Sequence, residues 1–205
     1  MPNYQILDSN NRNDSNSIIY DNVTNRNDED PDPQDVGGSS IKKKRPKWVD
    51  VYEGYPKNAS DNDLPAPEVF TSILGTNYDK KIFSNACATR VSLGLINGGM
   101  NIKREFKIQK GIFKGEFFIA SAINLKNWLA QKSIWDKADE IITGPTDLSS
   151  VQSRLAGRNG VYIIIGGFSD GVTGHASLWV DSKKDIISTH NYIDYGGDIY
   201  FWELN

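Results

Sequence analysis

Cys87, His175 and His190 are the side chains here whose types suit nucleophilic attack on an amide. They are the only cysteine and the only two histidines of the chain. Cys87 follows Ser84-Asn85-Ala86, and Cys87, Val91 and Leu95 recur at helical spacing. Ser84 or Asn85 therefore reads as an N-cap, with Cys87 in the first helical turn. Unpaired N–H groups and the positive end of the helix dipole favour a thiolate there, and thiolate is the nucleophile. The same N–H groups, that of Cys87 included, suit an oxyanion forming on the attacked carbonyl. A lone cysteine is more often a small core residue, so Cys87 gains weight only from a partner.

His175 is that partner. It follows Asp170-Gly171-Val172-Thr173-Gly174 and opens an apolar run, which puts it at a strand start beside a glycine-rich loop. An imidazole with a pKa near neutrality can take the thiol proton. A structural histidine bonded to a carbonyl would occupy the same kind of position. A third group should orient the ring, and His190, Asp185, Asp181 and Ser188 are the candidates. If the turn after His175 is centred between Ser182 and Lys183, His175 faces His190, and opposed side chains lie about 5 Å apart. Asp185 then faces Val180, roughly 17 Å along the strand at about 3.4 Å per residue.

These residues need a helix and a sheet to hold them. Asp61 to Leu74 reads as a short helix, with Pro65 and Pro67 in its entry and Val69, Phe70, Ile73 and Leu74 on one face. The Cys87 helix stops at Gly98-Gly99. Residues 112 to 120 read as a strand or hairpin, and 121 to 131 as a helix with Leu125, Trp128 and Leu129 inward. Val161 to Gly166 is a branched apolar run, the mark of a strand buried on both faces. Strands follow at 175 to 180, 186 to 193 and 198 to 204, with a turn at 181 to 184. Helices first and an antiparallel meander after them make an α+β domain.

That domain spans residues 45 to 205. Residues 1 to 44 read as a disordered extension, because an Asn- and Asp-rich stretch buries too little apolar surface to offset its ordering entropy. Lys42 to Arg45 reads as a solvated linker end. A net charge of −3 gives no bulk attraction to nucleic acid. No apolar run reaches the roughly 18 residues of a membrane span. Met1 to Asn16 lacks an apolar signal core, so export through the general secretory route is not expected. One cysteine permits no internal disulfide, and with two histidines it permits no ordinary zinc set. No cofactor is expected, since neither a phosphate loop nor a dinucleotide fingerprint is present. No spacing singles out a carboxylate pair for glycoside hydrolysis.

Several stretches, in order, resemble one family. Arg45-Pro46-Lys47-Trp48 with Gly54-Tyr55-Pro56-Lys57, then Ser84 to Ser92, resemble the start and the cysteine segment of the type VI secretion amidase effectors of family four. Leu125 to Leu129, Gly160 to Ile165, Gly167 to Asp170, Thr173 to Trp179 and Tyr200 to Leu204 continue the resemblance through the histidine segment to the closing strand. It implies a papain-like, NlpC-type fold. It implies a DL-endopeptidase that cuts peptidoglycan stems between γ-D-glutamate and meso-diaminopimelate. It also implies delivery by a contractile secretion machine into a rival's periplasm, and a cognate immunity protein that plugs the cleft. The family's acidic third residue lies about eleven positions after the histidine. That offset falls on Ile186, beside Asp185, so either Asp185 serves or His190 takes the role, and the hairpin register favours His190. The acidic extension does not match the compact family pattern.

Two other functions use the same residues. Deamidation or transpeptidation would proceed through the same acyl-enzyme. A non-catalytic wall-binding domain would carry a thiol of ordinary reactivity.

Overall fold

Amphipathic helices and one strongly apolar antiparallel sheet share two cores in this chain. The computed structural model describes residues 44–168 and 172–205. The expected extension, residues 1 to 44, lies outside the described residues apart from Lys44. The helices are α1 (Trp48–Gly54), α2 (Ala66–Leu74), α3 (Cys87–Asn97), α4 (Ala122–Leu129) and α5 (Leu148–Arg154). Strands β1 (Phe106–Lys107) and β2 (Phe117–Phe118) form a small ribbon. Strands β3 (Glu140–Ile142), β4 (Asn159–Ile165), β5 (Gly174–Val180), β6 (Asp185–Ile186) and β7 (Asp198–Leu204) form the main sheet, in the order β3-β7-β4-β5-β6. All its pairings are antiparallel, and the architecture is α+β.

Alternation along the central strands divides the cores. Val161, Ile163, Ala176, Leu178 and Val180 face the layer of α1 to α4. Tyr162, Ile164, Trp179, Ile199 and Phe201 face the other way, onto Val151 of α5 and Leu155 at its end. A strand covered on both faces cannot alternate apolar with polar, which is why β4 reads as a continuous apolar run. Helix α3 is the hub of the first core, with every residue from Cys87 to Ile96 buried. Its Gly94 lets α1 come close, since a Cβ there would lie 2.7 Å from the Val51 carbonyl oxygen.

Three sequence expectations change. The strand over 186 to 193 shrinks to Asp185–Ile186, because the chain leaves the sheet after Ile187, whose N–H still donates to Leu178 O at 3.0 Å. The C-terminal strands are not a meander, because β7 returns to pair with β4 and β3 rather than β6. Ile112 lies outside any strand, 88% exposed in the loop between β1 and β2. Helices α1 and α5 and strand β3 were not read from the sequence. The β5–β6 turn has the expected register, with Trp179 opposite Ile186 and Val180 opposite Asp185.

Candidate active site

The buried end of α3 and the start of β5 meet at one point. Cys87 is the first residue of α3 and is 3% exposed. The backbone N–H groups of Ala176 and Ala88 face its sulfur, so the thiol sits against the residue that follows His175. The N-cap position is Ala86, which offers no side chain to the helix. Asn85 works from one residue further out, its Oδ1 accepting the Cys87 N–H at 3.0 Å. That bond closes an Asx turn leading into the helix. The Cys87 N–H assigned from the sequence to an oxyanion is thus already bonded in the free protein.

Electrostatics at the pair run against a preformed thiolate–imidazolium. Burial pushes the Cys87 thiol up, against the facing N–H groups and the Arg90 charge, which favour the thiolate. Burial, and then the charges of Arg90 and His190, push His175 down to about 3. Both shifts favour the same resting pair, a thiol beside a neutral imidazole. A neutral imidazole can accept a proton, so the arrangement suits general-base activation during attack. The expectation of a helix-stabilised thiolate gives way because desolvation outweighs the first-turn N–H groups.

His175 is 5% exposed, and its Nε2 is buried with no hydrogen-bond partner among the described residues. Neither expected third residue bonds to it among the described residues. Asp185 Oδ1 accepts its neighbour's N–H from Ile186, and Oδ2 accepts from Asn191 Nδ2 at 3.3 Å. His190 lies in the loop after β6 and is exposed. Its Nδ1 accepts the Tyr192 N–H at 2.9 Å, and its Nε2 is 3.7 Å from Asp194. The Tyr192 ring occupies the space between the histidines, with centroids 4.5 Å from His175 and 4.7 Å from His190. Tyr192 holds this place with φ of +62°, a backbone region few large side chains adopt. Of the other candidates, Asp181 takes the Gly157 N–H, far along the strand, and Ser188 lies beside Asp63.

A cavity of about 260 Å³ opens at His175, lined also by Asn85, Phe168, Val172, Gly174, Tyr192 and Tyr195; Cys87 itself is not in its lining. Trp179, further along the same strand, lies in the second core, stacked on Tyr162. The aromatic wall comes from Phe168, Tyr192 and Tyr195, which pack together with centroids 5.1 to 5.5 Å apart. Gly167 makes this possible, with φ of +77° and no room for a Cβ, which would lie 2.0 Å from Tyr195 O. Residues 169 to 171 of the expected flanking loop lie outside the described residues. A second cavity, of about 400 Å³, is lined by His190 together with Asp147, Asp185 and Asp194.

Beneath the pair runs a polar network the sequence did not reveal. Tyr55 OH donates to Asp63 Oδ1 at 2.7 Å and lies 3.4 Å from Ser177 Oγ. Arg90 bonds Asp63 Oδ2 at 3.2 Å and Leu64 O at 2.9 Å. Burial raises the Asp63 carboxyl despite the Arg90 charge beside it. Arg90 lies three residues after Cys87 in the cysteine segment, and that nearness is the one sequence signal for it. Asp63 carries no such signal. Among the described residues no His, Cys, Asp and Glu cluster could hold a metal ion, and no helix is long and apolar enough to cross a membrane.

Comparison with known proteins bears on this arrangement. The model of the family described as type VI secretion system (T6SS), amidase effector protein 4, Tae4, matches residues 83–202. No curated protein sequence matches. The crystal structure of the type VI effector Tae4 from Enterobacter cloacae is similar in fold, with a TM-score of 0.62 and 20% identity. The match covers 79% of this chain and 98% of that one. Effector–immunity complexes Tae4–Tai4 from Enterobacter cloacae and Salmonella Typhimurium each match at a TM-score of 0.60 and 22% identity. Each covers 79% of this chain and all of the matched one.

Proposed function

Because the chain belongs to the type VI secretion system amidase effector 4 family, and so is an amidase effector, we propose that Cys87 and His175 hydrolyse peptidoglycan stems. The bond cut is that between γ-D-glutamate and meso-diaminopimelate. The observation that carries this reading is the thiol of Cys87 lying against the N–H of Ala176, the residue after His175, with His175 itself lining a cavity.

His175 is neutral at rest and takes the thiol proton as the sulfur attacks the γ-glutamyl carbonyl carbon. The tetrahedral species collapses as His175 returns that proton to the leaving amine, and the C–N bond breaks. Water enters, His175 takes its proton, and the oxygen displaces the sulfur. The products are a γ-carboxylate and a free amine, and the enzyme regains its thiol.

His190 acts as a positioning residue. It holds the Tyr192 N–H, and the Tyr192 ring in turn rests on His175. Residues 45 to 205 form the catalytic domain. The secretion machinery carries the protein to a target bacterium, and the reaction takes place in that cell's periplasm. A cognate immunity protein, of the kind bound in the matched complexes, guards the producer by closing the cleft.

The test is digestion of diaminopimelate-type sacculi by the wild type and Cys87→Ala, with muropeptides read by mass spectrometry. New fragments ending in γ-glutamate, absent with C87A, are expected. Equal cleavage by C87A would remove the thiol mechanism. Products carrying a transferred amine would replace hydrolysis with transpeptidation.

A further inference from the structure

The oxyanion needs a donor, and the cysteine's own N–H is engaged. It donates to Asn85 Oδ1 at 3.0 Å. Because a backbone N–H can only donate, the facing atom of the carboxamide must be its oxygen, which fixes the flip of the amide. Nδ2 then projects from the other side, and it makes no hydrogen bond among the described residues. Asn85 is exposed and lines the cavity that His175 also lines. One side chain therefore sits two residues before the nucleophile, is anchored through its acceptor, and keeps two donors without a partner among the described residues while lining the same cavity as His175.

We propose that Asn85 is a catalytic residue, with Nδ2 donating to the oxyanion that forms when Cys87 attacks the substrate carbonyl. The Asx turn holds the donor in place before substrate arrives. Such preorganisation lets a hydrogen bond act on developing charge without reorganisation cost at the moment of reaction. A backbone N–H already spent on a turn would have to break that bond first.

The inference rests on the hydrolase reading, so the closing experiment separates the two. Full-length wild type, Asn85→Ser and Asn85→Ala are assayed for kcat and KM on a stem peptide. Cys87 alkylation by iodoacetamide is followed against pH in the same proteins. A serine keeps a short acceptor for the N–H two residues on and stays neutral, but removes Nδ2. The expected result is a fall in kcat of about 10²- to 10³-fold for N85S, the usual loss of one oxyanion donor. KM and the alkylation profile should stay at wild-type values. N85S turning over as fast as an active wild type overturns this inference alone. A matching loss of alkylation in N85S overturns it too, because Asn85 would then only shape the thiol's turn. A wild type that cuts nothing overturns the hydrolase reading and this inference together.

Discussion

Replacing Arg90 by leucine tests whether the network under the site is a buried ion pair or a surface one. The Arg90 side chain is 8% exposed and that of Asp63 is 18% exposed. Arg90 also satisfies Leu64 O, and Asp63 also accepts from Tyr55 OH. Removing the cation leaves a carboxylate that burial already penalises, together with an orphaned carbonyl. Breaking such a pair from one side costs about 3–5 kcal/mol, whereas an exposed pair contributes about 0–1 kcal/mol. Because Asp63 keeps some contact with water, R90L should cost about 3 kcal/mol. At about 2–4 °C per kcal/mol for a domain of this size, that is a fall in Tm of roughly 6–12 °C. The assay is urea and thermal unfolding of R90L, Asp63→Asn and the double variant. The double variant should recover part of the loss, since the neutral amide needs no counter-charge. The Arg90 charge also favours the Cys87 thiolate, so R90L alkylation should move to higher pH. An R90L cost below about 1 kcal/mol, with no recovery in the double variant, would refute a buried pair.

Two further outcomes follow from the geometry at His175. Tyr192→Phe keeps the ring against His175 and should act like wild type, whereas Tyr192→Ala frees the imidazole and should lose about 10²-fold in kcat, the scale of a 1 Å misplacement. Y192A turning over at the wild-type rate would remove the ring's positioning role. The His175 pKa is lowered from 6.5 to about 3, so the folded state binds this proton less readily than the unfolded chain. Its share of stability is complete above pH 6.5 and is lost as pH falls toward 3, at up to about 1.4 kcal/mol per pH unit. Urea midpoints should therefore drop more steeply between pH 6.5 and 4.5 in wild type than in His175→Gln, and parallel slopes would show His175 protonating freely.

The sequence was most legible where one residue's environment is local. Helix α4 came out with Leu125, Trp128 and Leu129 inward because one face carries the pattern, and all three are buried. The β5–β6 register followed from the turn at 181 to 184. The third partner of His175 did not, because register alone assumes the strand continues. Past Ile187 the chain enters a loop that contains Tyr192 at φ +62°, and no periodicity announces such a departure. The aromatic wall was hidden for a similar reason. Phe168 and Tyr192 lie 24 residues apart on two loops, and the close approach of Gly167 to Tyr195 joins them. The thiol's pKa direction was missed because helix position is readable from sequence, while burial of the first turn is a tertiary property. Asp63 and Arg90 are 27 positions apart, and only the fold pairs them.

Strand β7 ends where α1 begins. The Trp48 N–H donates to Asn205 O at 2.6 Å, and Arg45 reaches both the Asp139 carboxylate and Glu203 O, the latter at 2.9 Å. The catalytic body is therefore nearly a closed loop of chain. A short linker could join residue 205 to residue 45 and new ends could be opened at the exposed tip around Ile112, giving a circular permutant in which His175 precedes Cys87 and the new linker lies between them.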